Sequence, residues 1–113
     1  MPDSDKYAIN IRPEVWAEIE NISEKHLNLV GPASAKKITD KLLDDIEKLA
    51  YHPYLGKECD ELILIPNHYR RLISGMYLCI YRIIGNTIYI YHIVDGRTNY
   101  TRLLKNEMNH NQN

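Results

Sequence analysis

The chain has 113 residues and a mass of 13.3 kDa, enough for one domain with a core and little room for a second. Its 14 Lys+Arg against 15 Asp+Glu leave a formal net charge of -1, which excludes a uniformly basic nucleic-acid coat protein and an acidic disordered tail. Two cysteines, Cys59 and Cys79, are too few for a disulfide-stapled fold and form no C-x-x-C pair for a zinc ribbon. No stretch approaches the roughly 20 apolar residues of a membrane span. Residues 1–5 are polar and acidic, unlike a signal peptide, so the expectation is a reduced, soluble, cytoplasmic protein.

Residues 6–12 alternate Tyr7, Ile9 and Ile11 with Ala8, Asn10 and Arg12, a period of two that predicts a strand. Pro13 opens a helix, where its missing N–H costs nothing. Trp16, Ile19, Ile22 (or Ser23), Leu27 and Val30 recur at helical spacing as its expected buried face, and Gly31-Pro32 ends it. A second helix follows, with Ala35, Ile38, Leu42, Ile46 and Leu49 on its apolar side. Its solvated side is Lys36, Lys37, Asp40, Lys41, Asp44, Asp45, Glu47 and Lys48, so the pair makes an amphipathic αα-hairpin.

His52-Pro53-Tyr54-Leu55-Gly56 breaks the second helix. A loop follows, with a short apolar run at residues 62–65 closed by Pro66. The period then returns to two, which predicts strands at 68–74, 77–84 and 87–94. Gly75-Met76 and Gly85-Asn86 join them as two-residue turns, where glycine supplies the positive φ. The order βααβββ predicts an α+β fold: a two-helix hairpin on one face of a small, mostly antiparallel sheet. One domain is expected at residues 1–105, with the Asn-rich residues 106–113 a polar flexible tail.

Charge divides unevenly. Residues 1–65 hold eight Lys+Arg against thirteen Asp+Glu, a net of −5; residues 66–113 hold six cations, five of them Arg, against Asp95 and Glu107, a net of +4. The planar fork of Arg grips phosphate or carboxylate, and most of the Tyr share this half, so the sheet is a candidate nucleic-acid or partner surface. Tyr77, Tyr81, Tyr89 and Tyr91, at alternate positions, also suit plain cross-strand packing. His26, His52, His68, His92 and His110 lack metal-ligand spacing, and no metal or cofactor is expected. Nothing marks either cysteine as activated.

Three stretches carry a family resemblance. They are His52-Pro53-Tyr54-Leu55-Gly56, the strand pair from Tyr69-Arg70-Arg71-Leu72 to Tyr77-Leu78-Cys79-Ile80-Tyr81-Arg82, and the closing strand with Gly96-Arg97-Thr98-Asn99-Tyr100-Thr101-Arg102-Leu103-Leu104. In this order, over residues 6–105, the chain resembles the RelE/ParE superfamily of toxins from type II toxin–antitoxin modules. The resemblance implies a growth-inhibiting toxin that forms a hetero-oligomer with an acidic, partly disordered antitoxin encoded upstream. It also implies one of two targets: the ribosome, where RelE-like members cleave mRNA, or DNA gyrase, which ParE-like members poison. An inactive relic that only binds the antitoxin is a third reading.

Metal-independent RNA cleavage needs a base, an acid and cations on the scissile phosphate. By resemblance, Arg71 stands where a strand cation is expected, Arg97 matches the C-terminal Arg and Tyr100 follows it. His92 is a candidate base because histidine titrates near neutrality. Arg71, Arg97, Tyr100 and His92 are therefore the candidate catalytic set, and Arg70, Arg71, Arg82, Arg97 and Arg102 the candidate contacts to antitoxin or target. Leu78 replaces the Arg that RelE-like toxins carry after their "GY", which removes one phosphate clamp. The near-neutral charge suits ribosomal RNA poorly. Both features, with the Gly96-to-Tyr100 terminus, favour the ParE-like branch.

Overall fold

The computed structural model describes residues 6–61 and 65–111. Its elements run β1 (Ala8–Ile11), α1 (Pro13–Leu29), α2 (Pro32–Lys48), β2 (Lys57–Glu58), β3 (Arg70–Ser74), β4 (Tyr77–Ile84), β5 (Thr87–Asp95) and α3 (Tyr100–Asn111). The strands form one mixed sheet in the order β1-β5-β4-β3-β2, with β1 parallel to β5 and the other pairs antiparallel. The parallel pair is possible because the α1–α2 hairpin and the strands after it carry the chain back beside β1. The α+β architecture with two helices after the first strand is thus the one expected.

The αα-hairpin packs on one sheet face. Val15, Ile19, Leu42, Ile46 and Leu49 meet Leu72, Tyr77, Cys79, Tyr81, Ile88, Ile90 and Ile93 there. Leu42, Leu49, Ile88 and Ile90 are each at most 1% exposed, and each such side chain stabilises the fold by about 1.5–3 kcal/mol. A register shift lies between Ile80 and Tyr81: Ile80 pairs with His92 and Tyr81 with Ile90, so Tyr91 is an extra residue on β5. That bulge changes the alternation and lets Ile88, Ile90 and Ile93 all reach the helices.

Several expectations change. The inward stripe of α1 is Val15, Ile19 and Ile22, while Trp16, Leu27 and Val30 are exposed. Trp16 lies about 100° around the helix from Val15, and Leu27 and Val30 sit near the hairpin tip. Gly31, at φ 146, precedes Pro32, the first residue of α2, so this pair starts the second helix as well as ending the first. Asp45, expected on the solvated side, is buried: it accepts from Ser74 Oγ at 2.7 Å and pairs with Lys41 and Lys48. These partners outweigh its burial and hold its carboxyl below the usual range.

β2 was not predicted and spans two residues. β3 begins at Arg70 rather than at 68. Of the apolar run expected at 62–65, residues 62–64 lie outside the described residues, and Ile65 opens a short 3₁₀ turn, Ile65–Asn67. Residues 106–111, read from composition as tail, continue α3. The two glycine turns are as expected, Gly75 at φ 60 and Gly85 at φ 61.

Candidate functional site

α3 crosses the second sheet face along one cross-strand row, Arg71–Ile80–His92. Tyr100, Leu104 and Glu107, spaced four and three residues apart, supply its rungs. At one end Arg71 Nη1 donates to Tyr100 Oη at 3.1 Å, and Tyr100 Oη donates to Glu61 Oε1 at 2.6 Å. In the middle Leu104 is fully buried against Cys59, Tyr69 and Ile80. At the other end His92 Nε2 meets Glu107 Oε1 at 2.6 Å.

His92 is held from α1 as well: its Nδ1 meets Glu18 Oε2 at 2.8 Å. The same carboxylate accepts the Ile93 backbone N–H at 2.9 Å. The pairing of β1 stops at Ile90, so Glu18 covers the edge of β5 beyond it. Burial would lower the His92 pKa, but two carboxylates outweigh it and raise it, because only the protonated imidazole can donate from both ring nitrogens to them. Burial, reinforced by Glu61, pushes the Tyr100 hydroxyl well above its ordinary value.

The structure thus brings Arg71 and Tyr100 together and sets His92 apart, two strands away, about 10 Å by strand spacing. Arg97 stands alone. It projects from the loop after β5 with its side chain 90% exposed and is oriented by Asp95, whose Oδ1 accepts from Arg97 backbone N at 2.9 Å and Nε at 3.2 Å. The four candidate catalytic residues do not surround one open position. Cys59 and Cys79 are buried, and burial pushes the Cys79 thiol up to about 12. No group of three His, Cys, Asp or Glu able to hold a metal occurs among the described residues.

The remaining arginines divide by what they touch. Arg70 grips Gly56 O through Nε at 3.0 Å and Nη2 at 2.7 Å and lies over the Tyr54 ring. Tyr81 Oη donates to Pro53 O at 2.8 Å and accepts Gly56 N–H at 2.9 Å. The His52-to-Gly56 motif is therefore fastened to the sheet by β3 and β4, and a Cβ on Gly56 would sit 2.6 Å from Arg71 O. Arg102 is exposed on α3, where Asn99 Oδ1 accepts its backbone N–H. Arg82 lies over the Tyr69 ring, and Arg12, which the sequence did not nominate, lies over Tyr91.

A chain of the solved structure described as the chromosomal ParDE TA system from P. aeruginosa has the same fold, with a TM-score of 0.68 and 17% identity, over 80% of this chain and 97% of that one. No curated protein matches by sequence. The family model for the ParE toxin of type II toxin–antitoxin systems matches residues 9–100. That span runs from β1 to the first residue of α3 and holds most of the chain, so the protein belongs to the ParE toxin family of type II toxin–antitoxin systems.

Proposed function

We propose that this toxin inhibits growth by poisoning DNA gyrase without catalysing a reaction of its own, and that a cognate antitoxin neutralises it. The observation that carries the non-enzymatic reading is the state of the nominated acid–base groups. His92 engages a carboxylate through each ring nitrogen, and the Tyr100 hydroxyl is pinned between Arg71 and Glu61. A base must offer a free lone pair to the proton it takes, and neither group does. Membership of the ParE family supports gyrase rather than the ribosome as target.

Arg97 is the residue we assign to target contact. Asp95 holds its Nε and Nη2 edge, the loop carries it clear of the sheet, and the side chain stays 90% exposed. An expression pulse tests the reading. Filamentation with DNA-damage signals, abolished in a folded Arg97→Ala variant, is the expected result. Early loss of translation overturns it in favour of mRNA cleavage, and absence of any growth effect in favour of a relic. Full toxicity of Arg97→Ala overturns the role of Arg97.

A further inference from the structure

The tip of the αα-hairpin and the β3–β4 turn meet beside the loop that carries Arg97. His26 Nε2 of α1 meets Tyr77 Oη of β4 at 2.9 Å, and Ser34 Oγ of α2 lies 3.4 Å from His26 Nδ1. Met76 O accepts the Gly96 N–H at 2.8 Å, which fastens the turn to the Arg97 loop. On this frame Leu29, Val30 and Met76 are 73%, 74% and 60% exposed, and among the described residues none of them belongs to a core cluster. With Lys25, Asp95 and Arg97 they line a depression of about 190 Å³.

Single exposed apolar residues are ordinary, whereas three around one depression mark a contact surface. A cavity of about 150 Å³ holds a benzene ring, so this depression has room for one bulky apolar side chain. Met76 can adjust its shape to such a guest. Charge narrows the choice of partner. Asp95 is the one acid among the described lining residues, and both Arg97 and Lys25 draw on it, so two cations share one carboxylate. The surplus of one positive charge suits a single carboxylate beside the apolar guest and falls short of what a DNA backbone requires. A second copy of the chain is disfavoured too, because a two-fold contact would set this surplus charge against itself.

We propose that this depression seats an apolar side chain of a gyrase subunit, with an adjacent acidic residue of that subunit paired to Lys25 and Arg97. The inference rests on the gyrase reading and adds Leu29, Val30, Met76 and Lys25 to the contact assigned to Arg97. The bonds between His26 and Tyr77 and between Gly96 and Met76 hold the surface in shape before the partner arrives, which reduces the ordering cost of binding.

The test is binding of the full-length toxin to purified gyrase holoenzyme at two salt concentrations. The variants are Val30→Ser/Met76→Ser, Lys25→Glu and, as a control, Ile84→Ser, an exposed position at the far end of β4. The expected result is binding weakened at least about tenfold in the double variant at both salt concentrations, weakened in Lys25→Glu and unchanged in Ile84→Ser. Lys25 is exposed, so Lys25→Glu decides the matter where the double variant fails to fold. Unchanged binding in both tip variants, which would leave the surface to another partner such as the antitoxin, overturns the inference. So does equal weakening by Ile84→Ser, toxin binding to plasmid alone that the tip variants abolish, or wild-type self-association that they abolish. Absence of wild-type binding to gyrase removes the gyrase reading and the inference with it, whereas wild-type binding that the tip variants leave intact removes the inference alone.

Discussion

Among the described residues of α3 only Leu104 is buried, and it is fully so. The helix has 12 residues, a length that is marginal in isolation, so its presence depends on docking. Leu104→Ala removes the middle rung while leaving the Tyr100 and Glu107 rungs in place. Truncation of a buried Leu costs about 2–5 kcal/mol, which raises the population of undocked α3 by at least about thirtyfold. The loss to the whole fold is capped at whatever α3 docking contributes, because once α3 is free nothing more is lost. Native-state amide exchange should therefore show residues 104–107 losing protection by at least that factor, with the amides of β4 losing less. Equal losses in α3 and β4 would contradict independent docking and place α3 in the same cooperative unit as the sheet.

The His92 clamp gives a pH dependence with a definite sign. Its folded pKa is raised above 6.5, so its contribution is fully present below that value and is lost as pH rises through the folded pKa. Protection of α3 should fall over that interval in the wild type and stay flat in His92→Gln; protection that increases with pH would contradict the clamp. Gly56→Ala places a Cβ 2.6 Å from Arg71 O and 2.7 Å from Tyr81 Oη, so thermal unfolding should show a loss of about 1–3 kcal/mol, and an unchanged midpoint would argue against the close approach. Asp45→Ala leaves Ser74 Oγ buried without its acceptor, and denaturant unfolding should show a cost of about 1–3 kcal/mol; Ser74→Ala in the same background should then add little.

Sequence periodicity located the αα-hairpin and the three long strands because each has a strong apolar rhythm and a glycine turn or a proline at its ends. It missed β2 because two residues hold no period. It missed α3 for a related reason: one buried position in a polar, Asn-rich segment gives no stripe, and the 4–3 spacing of Tyr100, Leu104 and Glu107 mixes an aromatic, an aliphatic and an acid. The bulge at Tyr91 is also silent in the sequence, since it is defined by pairing across strands. Trp16 misled because bulk suggests burial, whereas helical phase placed Val15 inward instead.

The site was legible in its residues and not in its connections. Arg71 and Tyr100 were both nominated, but their hydrogen bond joins positions 29 apart in sequence. His92 was nominated as a base; its acceptors come from α1 and α3, one of them a helix the sequence did not reveal. Arg70, a candidate partner contact, holds Gly56 O, a role readable only once β3 lies beside that loop. Arg12 is not among the nominated arginines; it follows β1 directly, and its guanidinium lies over the Tyr91 ring of β5, a contact that only the fold reveals.

The proposed action on gyrase is that of a folded, non-catalytic inhibitor. Supercoiling of relaxed plasmid by purified gyrase, with the purified toxin in excess and with Arg97→Ala alongside, addresses it directly. The expected result is that supercoiling falls and cleaved gyrase–DNA complexes accumulate with the wild type and not with the variant. Unchanged supercoiling in the presence of excess folded toxin would contradict it.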